Sequence, residues 1–191
     1  MPKVLIDCGA HNGNILELLI EKLGPFDRIY AFECNPEFKK YPPNVTYMQA
    51  AVWTKNGEID FYLSPLGTKP SSLLKEKTTG KLDIEHPIKV RCIDFSQWLK
   101  NTITKYDHVT MKMNIEGAEY DVLEKLIKDE TIKLIDALYV SFHRSKLDLP
   151  DLLKRENSIK TALTFRNISI SDWGDLLRGW IRERKTKKAN S

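Results

Sequence analysis

Four places in the sequence put chemically able residues where a strand would end. They are Asp7 with the loop Gly9-Ala10-His11-Asn12-Gly13, then Glu33, then Asn114-Ile115-Glu116, and last His143. A dinucleotide-binding loop needs G-x-G-x-x-G, whose third glycine lets the following helix pack on the sheet. Here the middle glycine is missing and Asp7 precedes the set, an arrangement that repels phosphate and attracts a cation. Gly9 permits a tight turn, and Gly13 opens a helix without a clashing Cβ. Glu33, 26 residues after Asp7, can accept hydrogen bonds from both hydroxyls of a ribose. Small Ala50 and Ala51 leave room for an adenine ring. The ligand that fits is an adenosine with a cationic group and no required phosphate, and S-adenosylmethionine meets that description. His143 has the ordinary pKa, near 6.5, of a group that accepts a hydroxyl proton, and a neutral imidazole also ligates metals. His11 reads as a backbone or cofactor contact, and His86 and His108 read as structural.

These residues need elements to hold them. Apolar runs at 3–7, 28–33, 45–50, 108–115 and 134–142 are expected to be core strands, with β-rich runs at 57–63 and 88–93 and another near 165–170. Helical periodicity is expected over 13–23, 117–128, 149–163 and 173–185, with short helical pieces after Glu33 and at "DFSQWLK". Strands alternating with helices predict an α/β fold with a mostly parallel central sheet and helices on both faces, joined by right-handed crossovers. Ligands in such sheets bind beyond the C-terminal strand ends, where the strand order reverses. Residues 64–87, with "PSSLLKEKTTGK", form a long loop without periodicity and are expected to be a lid.

The bulk properties narrow the class. A chain of 191 residues, 41% hydrophobic and 29% charged, has the length and composition of one globular domain, 1–191. It contains no run of about 18 apolar residues, so no membrane span is expected. No charged and then apolar leader opens it, and the expected location is cytoplasmic. Cys8, Cys34 and Cys92 lie far apart without a CxxC pair, so they read as buried thiols in a reducing compartment. Residues 176–191 carry six basic residues against the single acid Glu183, a basic tail that reads as a solvated end.

The strand-end pieces, taken in order, resemble the FkbM family of S-adenosylmethionine-dependent methyltransferases. The matching stretches are "IDCGAHNGN", "AFECNPE", "AAVWTKNGEIDFY", "SSLL", "VRCIDF" and "KMNIEGAEYDVL", spread over roughly residues 3–143. The resemblance implies a Rossmann-like methyltransferase fold and methyl transfer to a hydroxyl, often on a sugar or natural product. It implies cofactor contacts at Asp7, Gly9, Ala10, His11, Asn12, Gly13, Asn14, Glu33, Cys34, Asn35, Ala51 and Ser72. One position departs from the pattern. The family strand ends lysine-x-aspartate-x-glutamate-glycine, and here Asn114 stands at the aspartate's place. An amide keeps an oxygen acceptor but loses the charge. Compensation by Glu116 or Glu119, inactivation, and a role that an amide can fill all remain open.

Asn114, Glu116 and His143 are therefore the expected catalytic group. They would act on the acceptor hydroxyl directly or through a divalent ion, magnesium or manganese, held by the same three. The expected acceptor is a sugar hydroxyl on a glycan or glycosylated metabolite, with Tyr120, Trp173 and Trp180 lining an open cleft. No helix precedes the first strand here, so the lid or a second copy is expected to close the pocket, which makes a homodimer plausible. Three rivals stand beside this reading. A nucleic-acid methyltransferase is disfavoured because "NIEG" lacks the prolines of [DN]-P-P-[YFW]. An NAD-dependent enzyme is disfavoured by the missing glycine. The third is an impaired S-adenosylmethionine-binding module, which would follow if Asn114 abolished turnover.

Overall fold

The structure is a computed structural model that describes residues 1–38, 41–65 and 71–189, with side chains as far as Arg184. Among the described residues, six strands form one parallel sheet. They are β1 (Lys3–Cys8), β2 (Arg28–Phe32), β3 (Thr46–Met48), β7 (His108–Met113), β8 (Ala137–Val140) and β9 (Ser169–Asp172). Their spatial order is β3-β2-β1-β7-β8-β9. The order reverses beside β1, so a crevice must open between the carboxyl ends of β1, β2 and β7. A second, three-stranded sheet joins β4 (Ala51–Trp53), β5 (Gly57–Phe61) and β6 (Ile88–Asp94) in the order β4-β6-β5.

A parallel sheet must be covered on both faces, and the parity of β1 shows how this is done. Val4, Ile6 and Cys8 join Met111, Met113 and Leu138 in a core covered by α2 (Phe95–Thr102), α3 (Glu119–Lys128) and α4 (Leu152–Phe165). Leu5, on the other face, packs with Leu16, Leu19, Ala31, Trp173 and Trp180, from β2, α1 (Asn14–Leu23) and α5 (Trp173–Ala189). The same parity puts Asp7 on the α1/α5 face. Its cross-strand partner is Lys112.

The expected strand 45–50 is interrupted. Thr46–Met48 completes one edge of the large sheet, and the chain then turns so that Ala51–Trp53 pairs in parallel with Cys92–Asp94 in the small one. The expected strand 134–142 is also shorter, since Thr131–Leu134 coils as a 3-10 turn before Ala137–Val140. No helix among the described residues is long and apolar enough to cross a membrane.

Candidate functional site

The loop after β1 is shaped by close approach. Gly9 takes φ +80°, and a Cβ there would lie 2.2 Å from the Asn114 carbonyl oxygen. The Gly9 and Ala10 N–H groups both donate to the Phe32 carbonyl at 3.0 Å, which seats the loop on the end of β2. Glu33 ties the two strand ends together. One carboxylate oxygen accepts from the His11 N–H at 2.9 Å and the other from the Asn35 N–H at 2.7 Å. Asn12 caps locally by accepting from the Asn14 N–H.

Beneath this loop lies a buried charge pair. The Lys112 Nζ stands 2.9 Å from Asp7 Oδ1 and donates to the Gly9 carbonyl at 2.7 Å. Asp7 is fully buried. It neutralises Lys112 rather than facing a ligand, and Lys112 in turn holds the turn at Gly9. The role of Lys112 was missed in the sequence reading, although its position, level with Asp7 on the same sheet face, was open to inference from strand parity.

A cavity of about 600 Å³ opens at the switch point, within the range of small-molecule sites. Its wall includes Gly9, Ala10, His11 and Asn12 from the first loop and Glu33, Cys34 and Asn35 from the second. Ala51 and Ser72 close one side, and Asn114 and Glu116 stand at the end of β7. Asp7, Gly13, Asn14 and His143 are not on the wall. Trp173 and Leu177 of α5 are, brought there from more than 50 residues beyond Asn114. The aromatic cleft expected from the sequence is not built as proposed. Tyr120 and Trp180 are core residues, and only Trp173 of the three reaches the cavity. His86 and His108 sit elsewhere, paired with Asp83 and Asp136.

The turn after β7 is the most constrained part of the site. Glu116 holds φ +54°, which is strained for a residue with a Cβ, and Gly117 follows at φ +116°. Glu119, fully buried, accepts from the Ile115 N–H and the Gly117 N–H, each at 2.8 Å. His143 bridges the two acids, with Nδ1 2.9 Å from Glu119 and Nε2 3.2 Å from Glu116. Lys77 reaches the other oxygen of Glu116 at 3.0 Å, and Lys146 stands 3.5 Å away. Burial alone would lower the pKa of His143, but hydrogen bonds and charge attraction to Glu116 and Glu119 raise it to about 9. Burial alone would raise that of Glu116, but the His143 hydrogen bond, then the charges of His143, Lys77 and Lys146, bring it to about 2. At neutral pH the histidine is an imidazolium and the glutamate a carboxylate.

This arrangement does not support the expected divalent-ion site at Asn114, Glu116 and His143. Both nitrogens of His143 already face carboxylates, and Glu116 is surrounded by cations. Among the described residues, no group of three or more His, Cys, Asp or Glu side chains stands where it could hold a metal ion. The lid expected over 64–87 is also partly accounted for. Residues 66–70 lie outside the described residues, but the following segment is stitched down. Ser72 bridges Tyr62, and its hydroxyl donates to the Glu116 carbonyl at 2.9 Å. Lys77 bridges Leu147, and Thr78 N–H donates to the Lys146 carbonyl at 2.8 Å. In the structure, residues 71–78 form a fastened wall. Of the basic tail, the side chains from residue 185 onward lie outside the described residues.

A family model described as the methyltransferase FkbM domain matches residues 7–161. The chain belongs to the FkbM methyltransferase family. A crystal structure of an FkbM methyltransferase from Methylobacillus flagellatus KT superposes on this chain with a TM-score of 0.50 at 18% identity, covering 84% of this chain and 37% of that one. That likeness shows the shared fold. The ribosomal RNA large subunit methyltransferase E of Oleidesulfovibrio alaskensis (strain ATCC BAA-1058 / DSM 17464 / G20) is 33% identical over 78 residues, 40% of this chain and 38% of the relative. The matches thus span little more than a third of the length of either protein.

The family implies S-adenosylmethionine, and the residues present fit it. Glu33 keeps acceptor capacity toward the cavity while backbone N–H groups orient both its oxygens. Gly9 gives the backbone clearance that the loop needs, and Ala50, Ala51 and Val52 offer an apolar face for a flat base.

Proposed function

We propose that this domain transfers the methyl group of S-adenosylmethionine to a hydroxyl oxygen of a sugar, on a glycan or a glycosylated metabolite. The observation that carries the reading is that a single cavity joins the Gly9 loop and Glu33 to Asn114 and Glu116. When bound, the cofactor supplies an electrophilic methyl carbon on sulfur. Glu33 is suited to the ribose hydroxyls and the Ala50–Val52 face to the adenine. Asn114 and Glu116 are suited to orient the acceptor hydroxyl for in-line approach. Glu116 is the carboxylate able to take the hydroxyl proton, because His143 already carries protons on both nitrogens. With a pKa of about 2, Glu116 is a weak base. Positioning must then supply most of the rate, with proton loss following the forming bond. Phe38, in ring contact with His11 at 3.9 Å between centroids, adds an aromatic surface on the wall for a sugar face.

The test is calorimetric titration with S-adenosylhomocysteine, then transfer of labelled methyl from S-adenosylmethionine to a panel of methyl glycosides. Micromolar binding and a labelled glycoside are expected. A folded sample that binds no S-adenosylhomocysteine would sink the proposal. A second reading, methylation of RNA, is favoured by the partial match to a ribosomal RNA methyltransferase and by the basic residues after 176. Label on RNA rather than on glycosides, with binding that weakens steeply as salt rises, would select it.

A further inference from the structure

We infer that Glu119 is a positioning residue of the transfer reaction and acts through His143 to hold the Glu116 turn at the acceptor end of the cavity. The inference rests on the methyl-transfer reading above. Glu119 does not line the cavity, yet its fully buried carboxylate accepts from three donors in two segments of the chain. They are the Ile115 N–H, the Gly117 N–H and the His143 Nδ1–H, at 2.8, 2.8 and 2.9 Å. The two backbone donors flank Glu116, whose left-handed φ of +54° is unfavourable without outside support. The third donor passes the constraint to the side chain, because the far nitrogen of the same imidazole meets Glu116 Oε1 at 3.2 Å. One carboxylate therefore fixes Glu116 twice, by its backbone and, through His143, by its carboxylate.

The remaining fastenings of Glu116 come from residues 71–78, with Ser72 on its carbonyl and Lys77 on Oε2, and from Lys146, 3.5 Å from the same oxygen. These would still close the cavity if Glu119 let go, so the two supports are separable. Glutamine at position 119 has the right shape but replaces one acceptor oxygen with an NH₂. That group must point at a backbone N–H or at the imidazolium N–H, and a donor facing a donor breaks the hold.

The experiment compares the 191-residue chain with Glu119→Gln and His143→Gln in three measurements. They are the affinity for S-adenosylhomocysteine, amide hydrogen exchange at Ile115 and Gly117, and label transfer to the methyl glycoside that the unmodified protein accepts. Cofactor-product affinity is expected to stay within about threefold, since Glu33 and the Gly9 loop are untouched. In Glu119→Gln, exchange at whichever of Ile115 and Gly117 faces the NH₂ should speed about tenfold (roughly, one lost hydrogen bond) while β1 and β7 stay protected. kcat should fall on the order of 100-fold with KM for S-adenosylmethionine nearly unchanged. His143→Gln should reproduce the kcat loss more weakly, with the two amides still protected by Glu119. It also carries the test if Glu119→Gln does not fold. Wild-type kcat in His143→Gln overturns the inference. So does unchanged exchange in a folded Glu119→Gln, or loss of S-adenosylhomocysteine binding in a variant whose β1 and β7 amides stay protected. An unmodified protein that binds no S-adenosylhomocysteine defeats the methyl-transfer reading instead, and the exchange comparison still reports on the turn.

Discussion

Replacing Gly9 with alanine isolates the close approach on which the first loop depends. The added Cβ would lie 2.2 Å from the Asn114 carbonyl oxygen and 3.3 Å from the Ile115 side chain, at φ +80°. The obstructing atom is backbone at the end of β7, so no rotamer change relieves the clash. Left-handed backbone costs alanine about 1–2 kcal/mol, and an overpacked methyl group costs about 1–3 kcal/mol more. Together these remove roughly 2–5 kcal/mol, a large share of the ~5–15 kcal/mol that typically holds a domain folded. In urea, with m on the order of 2 kcal/mol/M, the midpoint should fall by about 1–2.5 M with m unchanged. Gly179→Ala is the control, since it adds the same methyl group within α5 with nothing inside 4 Å. That change should stabilise by about 0.5–1 kcal/mol through helix propensity. A Gly9→Ala protein with the wild-type midpoint would refute the argument, because the first loop and the β7 turn could not then be in contact as described.

Other perturbations test separate parts of the structure. Glu33→Gln puts an NH₂ group against the His11 or Asn35 N–H, and calorimetry should show S-adenosylhomocysteine binding weakened roughly 10- to 100-fold. For His143 the folded pKa of about 9 exceeds the ordinary 6.5. Its contribution to stability is therefore full below about pH 6.5 and lost as pH rises through 9. For Glu116 the value falls from 4.5 to about 2, so its contribution is present above pH 4.5 and lost as pH falls toward 2. Denaturant midpoints from pH 6 to 10 should decline, and His143→Gln should flatten that decline; an unchanged slope in the variant counts against the pairing. Leu123→Ala, at a fully buried position in α3, should cost about 2–5 kcal/mol in urea unfolding. Phe165→Ala, at a side chain 85% exposed, should stay within about 0.5 kcal/mol.

Much of the scaffold was legible in the sequence because short-range chemistry specifies it. Val4-Leu5-Ile6 is a short apolar run, rich in β-branched residues and with no polar side, which favours a strand covered on both faces, and Gly24-Pro25 stops α1 where the periodicity ends. The Gly9 loop, Glu33 and Asn114-Ile115-Glu116 all sit at strand ends, and the topology brings them to one cavity. The small sheet was less legible. The run "VTYMQAAVW" has strand character throughout, and nothing local marks Ala50 as the place where the chain leaves one sheet for another. The α5 side of the cavity was legible only in part: Trp173 was expected in the cleft, but Leu177 reads as an ordinary apolar position of a helix.

Asp7 and His143 mark the division most clearly. Strand periodicity determines which face each side chain takes, so the pairing of Asp7 with Lys112 across β1 and β7 follows once those strands are neighbours. No such rule governs His143, which lies past a strand end where the chain has no fixed period. Its imidazole could face the cavity as a base or turn inward between two acids, and the local sequence is the same in both cases. Packing decides the matter, because Glu119 has no solvent exposure and is held by the Ile115 and Gly117 N–H groups. A buried carboxylate is stable only when paired, and the nearest cation able to complete it is His143.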